Sequence, residues 1–258
     1  MKYKVDNKIG LVVLWLMYQC AEAFMHFYGD VVAFLSLMAA MLYVAHLVAQ
    51  AQGRSGIVSF QLNWDKKSGH YLLAGLVSGL LTYGLAFALS LVSGREILDI
   101  SILSLKSILI KSSLFVLGTF LPSIAEDVLT RGYLFTILKG RISRWGIVCL
   151  STIVFVLNHT YKLTGPVEGL LYLAILGFYL AVPVMLTGSL WYSVGLHWMG
   201  NIVYRISADV LQSKMVPGYT ISSLYLLMFL VTISIPFNML AIYNMKKKLS
   251  KRSWLRPV

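Results

Sequence analysis

Acidic residues are scarce in this chain. Ten aspartates and glutamates stand against 22 lysines and arginines in 258 residues, and all charged residues together make up only 12%. A soluble domain must cover itself with polar groups, so this little charge beside 58% hydrophobic residues and a mean hydropathy of +0.76 excludes that class. Cysteine is nearly missing as well. Cys20 and Cys149 both fall inside apolar stretches, where a thiol behaves as a small buried hydrophobe, which argues against a disulfide framework. The formal charge of +12 is not gathered into a basic face: the lysines and arginines sit between apolar runs and at the tail, so nucleic acid is not expected as a partner. No internal repeat is present, and with it goes the inverted pair of broken helices that marks many transporters.

What the chain does have is a succession of apolar runs, over 9–28, 31–49, 71–92, 105–138, 145–161, 169–187, 190–204 and 219–243. They predict an all-α, polytopic membrane protein of about eight transmembrane helices enclosing an intramembrane polar cavity. The whole of 1–258 reads as one transmembrane domain with its motif-bearing core at 105–205. The charges test the count. With an even number of spans, Lys2, Lys4 and Lys8, the 51–69 and 139–144 connections and the polybasic tail to Arg256 share one side, whereas the other side holds only Arg95, Lys162, Arg205 and Lys214, with Lys106 near a boundary. Basic residues accumulate on the cytoplasmic side, so both termini are expected there, in a bacterial plasma membrane, with the tail also meeting anionic lipid. Ala21-Glu22-Ala23 mimics a signal-peptidase site, but an uncleaved first span is the expectation. Glu22 and His26 share a helix face and are read as a mutual hydrogen bond or an interfacial pair, and Gly75-x-x-x-Gly79 as a close packing face. Lys106 and Lys111 are expected to snorkel to an interface, and Trp191 and Trp198 to serve packing or the aromatic belt.

The run at 105–138 would be about 50 Å long as one helix, against a hydrocarbon core of roughly 30 Å. Pro122 is the expected break. Just beyond it stand Glu126, Asp127 and Arg131, each costing roughly 2.5 to 3.5 kcal/mol to insert at the centre of a bilayer. Two later runs supply matching groups: Phe155-x-x-x-His159, and His197-x-x-x-Asn201 with its two polar residues one turn apart. Counted at about 1.5 Å per residue from the ends of their helices, Glu126, His159, His197 and Asn201 fall at comparable depth. Asp127 and Arg131 form an i,i+4 ion pair in the favourable order, which leaves Glu126 to face water. Each motif alone has a bland account: a structural ion pair, an interfacial histidine, an inter-helix polar clamp.

Three in order on three spans resemble the CPBP family of intramembrane proteases, also called the Abi or CAAX-protease family, which includes the type II prenyl-protein endoprotease. The family pattern is Glu-Glu-x-x-x-Arg, Phe-x-x-x-His and His-x-x-x-Asn. Here it reads Glu126-Asp127-x-x-x-Arg131, Phe155-x-x-x-His159 and His197-x-x-x-Asn201, with Gly-Tyr-Leu-Phe after the arginine and Gly-Ser-Leu-Trp-Tyr-Ser-x-Gly-Leu-His leading into the third motif. The departure is Asp127 in place of the second glutamate, one methylene shorter.

The resemblance implies an endopeptidase acting on a peptide or membrane-protein substrate, with Glu126, Asp127, Arg131, His159, His197 and Asn201 as its catalytic set. In one version Glu126 activates a water beside His159, while His197 and Asn201 donate to the oxyanion, and no cofactor is required. In the other, Glu126, His159 and His197 bind zinc and make a metalloprotease. His-Glu-x-x-His, Gly-x-Gly-Asp and Gly-x-Ser-Gly are all missing, so other intramembrane protease classes find no support. The alternatives are a catalytically silent scaffold or bacteriocin-immunity protein, and a proton-coupled transporter that uses the same groups as a relay.

Overall fold

Residues 5–98, 104–218 and 222–253 are described in the computed structural model, with side chains to 249. Lys2, Lys4, Arg256 and the expected start of the last span at Tyr219 lie outside the described residues. Among those described there are eight helices. They are α1 (Asn7–Tyr28), α2 (Val31–Ala51), α3 (Ser68–Val92), α4 (Leu105–Leu138), α5 (Arg144–Asn158), α6 (Val167–Thr187), α7 (Trp191–Arg205) and α8 (Ser223–Ser253). Six are long and apolar enough to cross a membrane, while α5 and α7 have 15 residues each, about 22 Å. The two short helices are the ones that carry the histidine motifs.

Local chemistry sets the boundaries. Asp6 and Asp30 cap the starts of α1 and α2, their carboxylates accepting from the N–H groups of Lys8 and Ala33 at 2.7 and 2.9 Å. Ser104 and Ser143 do the same for α4 and α5. Gly29 and Gly188, at φ 64° and 68°, turn the chain out of α1 and α6 in the left-handed conformation that favours glycine. The only sheet among the described residues is a two-residue ribbon, β1 (Glu96–Ile97) against β2 (Lys214–Met215).

The expected break at Pro122 is not where α4 departs from regularity. The α-helix runs from Leu105 through Pro122 to Asp127, and Val128–Tyr133 then widens into a π-helical stretch. Hydroxyls explain both halves. Thr119 and Ser123 donate to the carbonyls of Phe115 and Thr119, which binds the turn around the proline. Thr130 donates to the Glu126 carbonyl, and Ser151 of α5 donates to the Thr130 carbonyl, so groups freed by the π turn find partners without water. The disruption therefore follows the acidic pair.

Helix α7 crosses α3 at closest range. A Cβ on Gly75 would stand 2.2 Å from the Tyr192 carbonyl oxygen, and one on Gly195 would stand 2.5 Å from that of Leu72. Gly79 meets Met199 and the Leu196 carbonyl, so the Gly75-x-x-x-Gly79 face is a packing face, and its partner is the helix that bears His197. Trp198 donates to the Val116 carbonyl at 2.9 Å and ties α7 to α4, while Trp191 donates to the Asn63 carbonyl at 3.0 Å. Both are packing residues. Cys20 and Cys149 correct the expectation of buried thiols: both are free and lie on the outer surface of the bundle, where lipid takes the place of a core.

Contacts sort the loops into two ends. At one, Val5 bonds to Ala51, Tyr133 donates its hydroxyl to the Asn7 carbonyl, Leu190 bonds to Gln61 and the Lys246 ammonium reaches the Leu186 carbonyl. At the other, His26 stacks on Tyr161 at 4.3 Å, Tyr225 meets Glu168 at 3.3 Å, and β1 pairs with β2.

Candidate active site

Glu126 is 4% exposed and stands among polar groups from three helices. Its Oε1 accepts from the Asn158 amide at 3.4 Å and lies 3.9 Å from His159 Nδ1, while its Oε2 lies 3.6 Å from His197 Nε2. These separations exceed the usual 2.7–3.2 Å of an N–H···O bond, so both oxygens keep acceptor capacity. The spacing of Phe155 and His159 has a direct cause. His159 is the C-cap of α5, and its Nδ1–H donates to the Phe155 carbonyl one turn back at 2.9 Å, which leaves Nε2 as the acceptor.

Asp127 faces away from Glu126 and is fully buried. Its Oδ1 takes hydrogen bonds from Arg131 Nη1 and from His197 Nδ1, the latter at 3.1 Å. Arg131, equally buried, also donates to Thr130 at 3.0 Å and lies over the Phe155 ring at 4.8 Å. One carboxylate thus neutralises the arginine and fixes the imidazole of the third motif. The ion pair with Arg131 is foreseen from spacing, whereas the link to His197 is not, since no local pattern connects residues 70 apart. Asn201 donates to Ser123 Oγ at 2.9 Å, and Ser123 is itself held by the Thr119 carbonyl, so one amide proton of Asn201 is committed and the other is free.

Residues 108–203 match the model of the Rce1-like family, the type II CAAX prenyl endopeptidases. This stretch of the chain is similar to that family. All six residues of the expected set, and both partners Ser123 and Asn158, lie within it. Comparison with curated proteins and with solved structures gives no match.

The Rce1-like segment does not enclose the site alone. Glu126, Asn158, His159, His197 and Asn201 line a cavity of about 1030 Å³, and Tyr18 and Glu22 of α1 line it too. Tyr18 is 5% exposed and lines the cavity together with Glu22 and Glu126. Gln19 holds α1 in this register, donating to the Asn158 carbonyl at 3.0 Å and accepting from Thr160 at 2.8 Å. Glu22 thereby faces the site and not His26, which stacks on Tyr161 instead. Lys111, expected to reach an interface, stands at the rim of the same cavity.

Among the described residues no three His, Cys, Asp or Glu side chains are grouped to hold a metal ion. Zinc needs its nitrogen and oxygen ligands at about 2.0–2.2 Å from a common centre, with the ligating nitrogens unprotonated. Here Nδ1 of His159 donates to a backbone carbonyl and Nδ1 of His197 to Asp127, so Nε2 of each ring is the nitrogen a metal could take.

Proposed function

We propose that this protein is an intramembrane endopeptidase in which Glu126 activates a water molecule. The observation that carries the reading is the placing of one ionisable carboxylate, inside a membrane-embedded cavity, within 4 Å of two imidazoles and an amide from other helices. Glu126 takes a proton from the water as its oxygen attacks the peptide carbonyl, and His159 Nε2 accepts the water's second hydrogen bond. The developing oxyanion is held by the free amide proton of Asn201 and by His197 in its imidazolium form, which Asp127 stabilises at Nδ1. One such donor typically contributes about 2.7 to 4 kcal/mol to the barrier. The proton on Glu126 then passes to the leaving amine, so no proton is gained or lost over the cycle.

Asp127 in the second acidic position suits this role. The shorter side chain still reaches Arg131 and His197, so the departure from Glu-Glu leaves the support of the third motif intact. The cavity walls include Phe34, Leu114, Phe115 and Leu117, which match a lipid-modified or membrane-embedded peptide, in line with the prenyl endopeptidases of the family. The test is a comparison of cleaved membrane peptides in cells carrying wild type or Glu126→Gln. The variant should lose specific cleavage products at normal membrane abundance; an identical peptide spectrum refutes the reading.

A further inference from the structure

Beyond the middle of the helices, the residues that line the cavity belong to one end of the bundle. The cavity rim is formed by Lys111 near the start of α4, Lys162 after α5, Arg205 and Asp209 at the end of α7, and Val31 at the start of α2. All of these belong to the end marked by the β1–β2 ribbon and the His26–Tyr161 stack. No residue of the 52–67, 139–143 or 188–190 connections lines it.

The two ends differ in charge. The closed end carries Lys8, Arg54, Lys66, Lys67, Lys139, Arg141, Arg144 and the run Lys246 to Lys248, against Asp6 and Asp65. The open end carries Arg95, Lys106, Lys111, Lys162, Arg205 and Lys214 among the described residues, interspersed with Asp30, Glu96, Glu168 and Asp209. Short connections rich in lysine and arginine stay in the cytoplasm.

We infer that the catalytic cavity opens away from the cytoplasm, and that it receives peptide segments presented on the non-cytoplasmic side of the membrane. Val31, Phe34 and Leu35 of α2 and Leu114, Phe115 and Leu117 of α4 line the cavity, an apolar surface for a membrane anchor in the non-cytoplasmic leaflet. Glu126 lies about 14 residues, or roughly 20 Å of helix, from the closed end at Gly140, too deep for a cytoplasmic segment to reach without crossing the packed half of the bundle. The substrate class this selects is the outward-facing portion of a membrane-anchored or exported peptide. Only the identity of the occupant rests on the peptidase reading; the direction of the opening stands without it.

The test uses the full chain with Cys20 and Cys149 replaced by serine, in sealed membrane vesicles of either orientation. Single cysteines are introduced as Lys162→Cys at the rim and Lys66→Cys at the closed end, with membrane abundance and a detergent melting curve as controls for folding. A membrane-impermeant maleimide should label Lys162→Cys in right-side-out vesicles and Lys66→Cys only in inside-out ones. The reverse pattern overturns the inference whether or not the protein cleaves anything. Labelling of the Lys162→Cys variant should also abolish cleavage of a substrate identified from the Glu126→Gln comparison. A labelled, fully active enzyme overturns the claim that peptides enter past this rim, even with the labelling sides as expected.

Discussion

Replacing Gly195 by alanine should impair catalysis through a displacement alone, because the glycine touches no substrate-binding group and its helix bears two of them. The new Cβ would stand 2.5 Å from the Leu72 carbonyl oxygen and 2.8 Å from the Leu76 nitrogen. Ordinary contact begins near 3.4 Å, so α7 must retreat from α3 by about 0.9 Å. The neighbours are helix backbone and cannot rotate aside. Overpacking of this kind costs about 1 to 3 kcal/mol, offset by roughly 1 kcal/mol because alanine loses less backbone entropy than glycine in a helix. Stability therefore changes little, while His197 and Asn201 move with α7. A misplacement of about 1 Å is worth roughly 10²-fold in rate, so kcat/KM for an identified peptide should fall by that order with the melting temperature nearly preserved. Gly75→Ala, facing the Tyr192 carbonyl, should do the same. Gly84→Ala on α3, where Leu80 Cδ1 at 3.6 Å is the nearest atom, and Gly169→Ala on α6, where nothing lies within 4 Å, should leave activity unchanged. Gly195→Ala with cleavage within twofold of wild type would refute the claim that this crossing sets the site.

Arg131→Met leaves the buried Asp127 uncompensated, and loss of one partner of a buried pair costs about 3 to 5 kcal/mol, to be read as a fall in melting temperature and membrane abundance. Asn158→Ala removes a long hydrogen bond to Glu126 worth about 0.5 to 1.5 kcal/mol, so kcat/KM should drop by roughly two- to tenfold without loss of stability. Tyr18→Phe should lower kcat more than it raises KM if the hydroxyl positions Glu126, and equal effects on both would place it in substrate binding instead. Asp65, in the connection before α3, is pushed up by desolvation but held below the usual carboxylate range by the N–H groups of Lys67 and Ser68 and the Ser68 hydroxyl. A carboxylate with a lowered folded-state pKa stabilises fully above its unfolded value near 4 and loses that stability as the pH falls through the folded one. The melting-temperature gap between wild type and Asp65→Ala should therefore be constant from about pH 5 to 8 and close in stronger acid.

The helices and the motif residues are legible in the sequence because both signals are local. Apolar runs give the spans, and Phe155 with His159 or Asp127 with Arg131 declare themselves by one-turn spacing. Other features escape for a physical reason. Pro122 reads as a break, yet the α-helix continues through it to Asp127, and a single sequence does not show that the π-helical turn opens only beyond the acidic pair. Glu22 reads as the partner of His26 because they are four apart. Only the packing of α1 on α5, through Gln19, shows which side of α1 faces the cavity.

Asp127 sharpens the point about what substitution means at such a site. Taken alone, a shorter acid in place of the family's second glutamate reads as lost reach. The structure puts its partners, Arg131 one turn along the same helix and His197 on the crossing helix, on one carboxylate oxygen. What determines whether a shorter side chain suffices is how closely α7 approaches α4 and α3, and Gly75 and Gly79 of α3 with Gly195 of α7 govern the approach of α7 to α3. The acid and the glycines are then one design, and Asp127→Glu in the wild-type backbone should crowd His197 instead of restoring the family's geometry. Its expected outcome is lower activity, with a loss that does not simply add to that of Gly195→Ala, which displaces the same helix. Measured in a double-mutant cycle, strictly additive losses would separate the two features and remove the explanation.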